Sequence, residues 1–222
     1  GHSFRVASLT TNLAEAVDDG GEGPYRDVSF SREQIREIRY AGLLHDFGKV
    51  GVREQVLVKQ KKLYGHDLTI LRHRFHSLLQ QADLEYERER AQRLLDHGMS
   101  DYREVVARLD LMRRERRDEL SRWLDSIVRA NEPTILPEGS FEELEEIGRQ
   151  TFTDFDGIER PLLGDDELRF LMINKGNLDP RERREIESHV THTYRFLEQI
   201  PWTRELSAIP RIAFGHHEKL DG

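Results

Sequence analysis

Apolar residues recur at steps of three and four through most of this chain, and no stretch alternates strongly enough to read as a half-buried strand. That regularity points to an all-α fold. Residues 2–17 (HSFRVASLTTNLAEAV) put Val6, Leu9, Leu13 and Val17 on one helical face, and the Gly- and Asp-rich DDGGEGP ends that helix. Ser31-x-x-Gln34 is a capping-box pattern that starts a second helix running to His45-Asp46, with Gly48 and Gly51 closing it.

The middle of the chain carries the strongest periodicity. Leu68, Leu71, Phe75, Leu78 and Ala82 follow 3,4 steps, and so nearly do Tyr102, Val105, Leu109, Met112, Arg116, Leu120, Trp123 and Ile127. HGMS between the two runs supplies a glycine stop and Ser100 as an N-cap, which predicts an antiparallel helical hairpin with one narrow apolar seam. A Pro-containing linker follows at 131–139, then a short acidic helix capped by Ser140-x-x-Glu143, and DFDGIERPLLGDD reads as loop. Helix resumes at Asp179-Pro180, with proline where its missing N–H costs nothing, and a last helix from about Thr203 leads to FGHHEKLDG. VLVKQKKLYGHDLTILRHRFH faintly echoes FLMINKGNLDPRERREIESHV at an offset of 115, which suggests that roughly this many residues interrupt an otherwise short connection.

Composition narrows the chemistry. A net charge of −8 argues against a general DNA-binding surface. The mean hydropathy of −0.71, with 34% charged residues, predicts helices whose outer faces are solvated. No run is apolar enough to span a bilayer and no signal-peptide pattern is present, so a cytoplasmic location is expected. The sequence has no initiating Met, and it stops at LDG soon after a histidine pair, as a segment of a longer protein would.

Cysteine is absent, so any metal must be held by nitrogen and oxygen. His45-Asp46 and His216-His217 are adjacent pairs, each at the end of an apolar helical run, with His189 at a helical position between them. Neighbours on a helix diverge by about 100°, so a contiguous pair can face two adjacent ions, or its Asp can bridge both. Such a set suits Fe or Mn better than Zn or Mg. Two ions close together generate hydroxide near neutral pH and clamp both oxygens of a phosphodiester displacement. His66, His73, His76, His97 and His192 are expected on the surface, in the hairpin seam or packed behind the ligands.

Four segments carry a family resemblance. HDFGK at 45–49 resembles the HD-x-G-K signature of the HD superfamily of metal phosphohydrolases, and HHEKLDG at 216–222 resembles the start of the HH-E-x-x-D-G-x-G-Y-P signature of the HD-GYP family. GHSFRVASL is similar to that family's opening helix, and ESHVTHTYRFL to the helix that supplies its middle histidine. The 27 residues from His189 to His216 match the family's spacing, whereas the 144 from His45 to His189 become ordinary once the 115-residue offset is removed.

The resemblance implies an HD-domain helical bundle in two parts, residues 1–64 and 176–222, interrupted by a helical insertion at 65–175. It implies His45, Asp46, His189, His216 and His217 as ligands of two divalent ions, Fe or Mn, with Asp46 bridging. His2 matches the first-helix histidine that joins a third ion in some members. Lys49 matches the lysine that touches substrate phosphate, and Asp221 and Gly222 match the beginning of the loop at the substrate mouth. Asp46 and Lys49 are thus the expected catalytic residues. The implied activity is hydrolysis of cyclic di-GMP to pGpG or GMP by a metal-bridging hydroxide. The alternatives are an HD phosphohydrolase for another nucleotide and a non-catalytic signalling module, against which the full set of six polar residues argues. The hairpin at 66–130 is the surface expected for a homodimer or regulatory contact.

Overall fold

The computed structural model describes residues 1–20 and 22–219. These form nine α-helices, short 3-10 turns and one two-stranded sheet, divided into two compact units: Gly1–Val58 with Pro180–Gly222, and Lys59–Asp179. No helix among the described residues is long and apolar enough to cross a membrane.

The first unit is built from α1 (His2–Asp18), α2 (Arg32–Leu44), a 3-10 turn (Phe47–Gly51), the single-turn α3 (Glu54–Leu57), α8 (Pro180–Glu198) and α9 (Ile209–Phe214). Ser31 and Gln34 form the expected capping box at the start of α2, and Asp18 accepts the Phe30 N–H at 2.8 Å to close the preceding loop. Ala41, Leu197, Ile209 and Ala213 make the core, with Leu44, Ile200, Trp202 and Leu206 packed around it. Each buried Leu or Ile contributes about 1.5–3 kcal/mol. Buried Glu37 on α2 accepts the Ala208 N–H at 2.7 Å, which fixes the chain as it enters α9.

Helix α1 buries a different face from the one its Leu spacing predicts. Ala7 and Ala14 are buried, while Leu9 and Leu13 are 70% and 66% exposed. The reason lies in α2. A Cβ on Gly42 would stand 2.8 Å from the Ala7 Cα, so the two backbones approach more closely than a Leu between them would allow. Close packing of small residues has outweighed hydrophobicity here.

The second unit holds α4 (Gly65–His97) and α5 (Tyr102–Ala130), the expected hairpin, with α6 (Ser140–Gly148), α7 (Asp165–Leu171) and the strands β1 (Thr151–Thr153) and β2 (Glu159–Pro161). Leu71, Phe75 and Leu78 meet Leu120, Trp123 and Ile127 in a core that also takes in Leu144, Ile147, Leu162 and Leu171. Farther along the hairpin polar contacts take over from this core: Arg117 pairs with Asp83 at 2.7 Å, and the Arg113 guanidinium lies 4.3 Å from the Tyr86 ring centre.

Several local features depart from expectation. Asp101 rather than Ser100 precedes α5, in the left-handed conformation that a short polar side chain tolerates. Gly139 precedes α6, and Glu143 accepts the Ser126 hydroxyl instead of closing a capping box. The segment read as loop contains a β-hairpin pairing Phe152 with Arg160, turned at Gly157 (φ 78°), and then α7, where Glu167 accepts the Gly164 N–H at 2.7 Å. Strands of three residues and a helix of seven are shorter than the windows in which periodicity is detectable. The last helix begins at Ile209 rather than Thr203, because Pro210 fits only in a first turn.

Lys62 lies in the second unit with no exposed surface, and its ammonium donates to the Leu171 carbonyl at 3.3 Å. Burial pushes its pKa down to about 8, from 10.5. The unfolded chain therefore binds the extra proton between these values, and stability rises with pH across that window. Below it the buried charge carries its full cost, on the order of 3 kcal/mol for such a shift. Lys62→Met is expected to stabilise this unit by about 1–3 kcal/mol at pH 7 and to lose that advantage by pH 10.5. Urea unfolding followed by Trp123 fluorescence in a Trp202→Phe background checks both arms.

Candidate metal centre

Helix α2 stops where its chemistry begins. His45, which caps its C-terminus directly after Leu44, is buried, and Asp46 leads into the 3-10 turn that carries Lys49. Helix α8 supplies buried His189, and the short turn Gly215–His217 after α9 supplies His216 and His217. His2 approaches from the first turn of α1. All seven residues belong to the first unit.

Three imidazoles share one orientation device. Nδ1 of His45 donates to the Gly42 carbonyl at 2.8 Å, Nδ1 of His216 to the Ala213 carbonyl at 2.6 Å, and Nδ1 of His189 to the Ile186 carbonyl. Each bond reaches back three residues, and each turns Nε2 inward.

The Nε2 atoms of His45, His2 and His189 converge on one carboxylate. Asp46 Oδ2 lies 3.2 Å from His45 Nε2 and 3.7 Å from His2 Nε2, while Oδ1 lies 3.5 Å from His189 Nε2. His189 Nε2 is in turn 3.2 Å from His216 Nε2, and the His217 ring centre lies 4.3 Å from that of His216. The donor atoms of His2, His45 and Asp46 lie within 4.8 Å of one another, as do those of His189, His216 and His217. The two oxygens of Asp46 thus face two separate histidine groups.

The electrostatics suit cations. Burial and the neighbouring imidazoles push the His216 pKa below the ordinary range, against the Ala213 carbonyl, so the ring is neutral near pH 7. Burial raises the Asp46 pKa, but the Lys49 hydrogen bond and the charges of His45, Lys49 and His189 prevail and hold it below the usual carboxylate value. Nitrogen and oxygen atoms this close, at 3.2 Å, need a proton or a metal cation between them. The donor set, nitrogen and carboxylate oxygen without sulfur, fits a divalent metal ion. Lys49 donates to Asp46 Oδ2 at 2.8 Å, and its side chain is 41% exposed, so the ammonium reaches solvent from the edge of this cluster.

Sequence reasoning overlooked Thr193. Completely buried one turn after His189, its hydroxyl accepts the Gly48 N–H at 2.8 Å and donates to the His45 carbonyl at 3.0 Å. It lies inside the segment that carries the family resemblance, but a threonine on a helix gives no signal of its own. The other histidines stand apart from the cluster. His66 pairs with Asp67, His73 lines a cavity of about 510 Å³ in the second unit, and His192 faces Gly51. Asp221 and Gly222 lie outside the described residues.

The HD domain family model matches residues 1–127, more than half of the chain, and a second HD domain model matches residues 166–222. The first match contains His2, His45, Asp46 and Lys49, and the second contains His189, His216 and His217. No curated protein matches the chain. No solved structure matches it either.

Proposed function

The chain belongs to the HD domain family, and on that premise we propose that it is a phosphodiesterase that hydrolyses cyclic di-GMP to pGpG or GMP. HD domains are generally metal-dependent phosphohydrolases. The observation that carries the reading is the sharing of Asp46 between two imidazole groups whose ligand atoms converge. His2 and His45 with one oxygen of Asp46, and His189, His216 and His217 with the other, would hold two divalent ions, Fe or Mn. Ions bound there would activate water and neutralise charge on the phosphodiester.

The chain's own groups have distinct tasks in this reading. The carbonyl-anchored histidines keep their rings fixed, so little reorganisation accompanies the reaction. Asp46 spans the two groups and stays ionised. Lys49 turns its ammonium from Asp46 toward a non-bridging phosphate oxygen, where it stabilises the charge that develops as water attacks phosphorus in line. The cyclic di-GMP assignment rests on the HD-GYP resemblance of HHEKLDG, in which Asp221 and Gly222 match the beginning of that family's substrate-loop signature.

Incubating Mn²⁺- or Fe²⁺-loaded protein with cyclic di-GMP and resolving the products by chromatography tests the proposal. pGpG or GMP should accumulate, and chelation should stop the reaction. Loaded protein that cleaves bis(p-nitrophenyl) phosphate but leaves cyclic di-GMP intact would remove the substrate assignment alone. Cleavage of neither compound would overturn the hydrolase reading.

A further inference from the structure

We infer that Thr193 is a positioning residue that sets Asp46 between the two histidine groups, an inference that rests on the metal reading above. Its hydroxyl is used twice, accepting the N–H of Gly48 at 2.8 Å and donating to the carbonyl of His45 at 3.0 Å. Those two backbone groups flank Asp46 and Phe47 on either side. The segment that carries the shared carboxylate is therefore clamped at both ends by one side chain of another helix.

The clamp has no slack. A Cβ on Gly48 would meet the His189 carbonyl oxygen at 2.1 Å and the Thr193 nitrogen at 2.5 Å, so the turn lies directly on the backbone of α8 between those two residues. Thr193 follows His189 by four positions on the same helix face. One turn of α8 thus presents a ligand and also holds the carboxylate that must reach it. His45 lies at the end of α2, where carbonyls lack intrahelical partners, and the Thr193 hydroxyl supplies one. Valine has nearly the same shape but offers neither bond. The Asp46 turn would lose its registration on α8 while the surrounding packing stayed filled.

Isothermal titration with Mn²⁺ of the wild type, Thr193→Val, Thr193→Ser and the core variant Leu197→Ala tests this role. Removing such an outer partner of a metal ligand is expected to weaken Mn²⁺ binding about 10–100-fold. Thr193→Ser keeps the hydroxyl and should stay within about threefold of wild type, and Leu197→Ala should bind Mn²⁺ normally despite its lower stability. Wild-type affinity in Thr193→Val overturns the inference. So does equal weakening in Thr193→Ser, which would assign the effect to the lost methyl, and the serine variant supplies this test even if the valine variant does not fold. Equal weakening in Leu197→Ala would reduce Thr193 to general support and likewise count against it. A wild type that binds Mn²⁺ but cleaves no phosphodiester fails the functional reading only, because affinity alone judges Thr193. A wild type that binds no Mn²⁺ removes both.

Discussion

Asp46→Asn is expected to lower phosphodiester turnover on the order of 10³-fold or more while leaving the metal-free protein folded. The carboxylate faces both histidine clusters, through Oδ2 to His45 and His2 and through Oδ1 to His189. Asn has the same shape but brings no charge and is a poor metal ligand. In chelated protein it should be tolerated well, because its amide oxygen can still accept from the Lys49 ammonium that the carboxylate pairs with. A change within about 1 kcal/mol is expected at pH 7, the worth of one hydrogen bond exchanged for another. The wild type's pairing with Lys49 contributes stability above the unfolded pKa near 3.8 and loses it as pH falls through the lower folded value. Asp46→Asn should therefore flatten the acid limb of metal-free stability. Urea titrations at pH 3 and pH 7 in chelator, set beside turnover by the Mn²⁺-loaded protein, check these expectations together.

Gly48→Ala should be the most damaging single methyl that can be added to the first unit. The atoms it would strike, the His189 carbonyl oxygen at 2.1 Å and the Thr193 nitrogen at 2.5 Å, belong to the backbone of a helix and cannot swing aside. The 3-10 turn would have to lift off α8, breaking the Gly48 to Thr193 hydrogen bond and carrying Asp46 and Lys49 with it. A loss of about 3–5 kcal/mol is expected, together with the metal site. Gly51→Ala is the control. There the added Cβ meets the side chain of exposed His192 at 2.9 Å, which can rotate away, so the cost should be below about 1 kcal/mol. Urea unfolding followed by Trp202 fluorescence in a Trp123→Phe background separates the two variants.

The helices that deliver the site were legible because their signals are local. Ser31-x-x-Gln34 announced α2, proline at 180 announced α8, and the 3,4 steps of Leu71, Phe75 and Leu78 announced the hairpin. The polar pairs at the ends of apolar runs pointed to the same cluster that the fold assembles. What escaped depends on contacts distant in sequence. Leu9 and Leu13 face outward because Gly42 lets Ala7 in, and nothing within α1 reveals that. Thr193 matters through a turn 145 residues away. The short strands at 151–153 and 159–161 fix one inward residue, Phe152, too few for an alternating pattern to be seen.

Two histidine groups sharing Asp46 would hold divalent ions side by side. Metal content after loading with Mn²⁺ and removal of free ion, measured by mass spectrometry for the wild type and for Asp46→Asn and His189→Ala, addresses this most directly. The account predicts at least two Mn²⁺ per wild-type chain and fewer than one in Asp46→Asn, with His189→Ala keeping at most the ion on the His2 and His45 side. A wild type that retains no more Mn²⁺ than Asp46→Asn would contradict it.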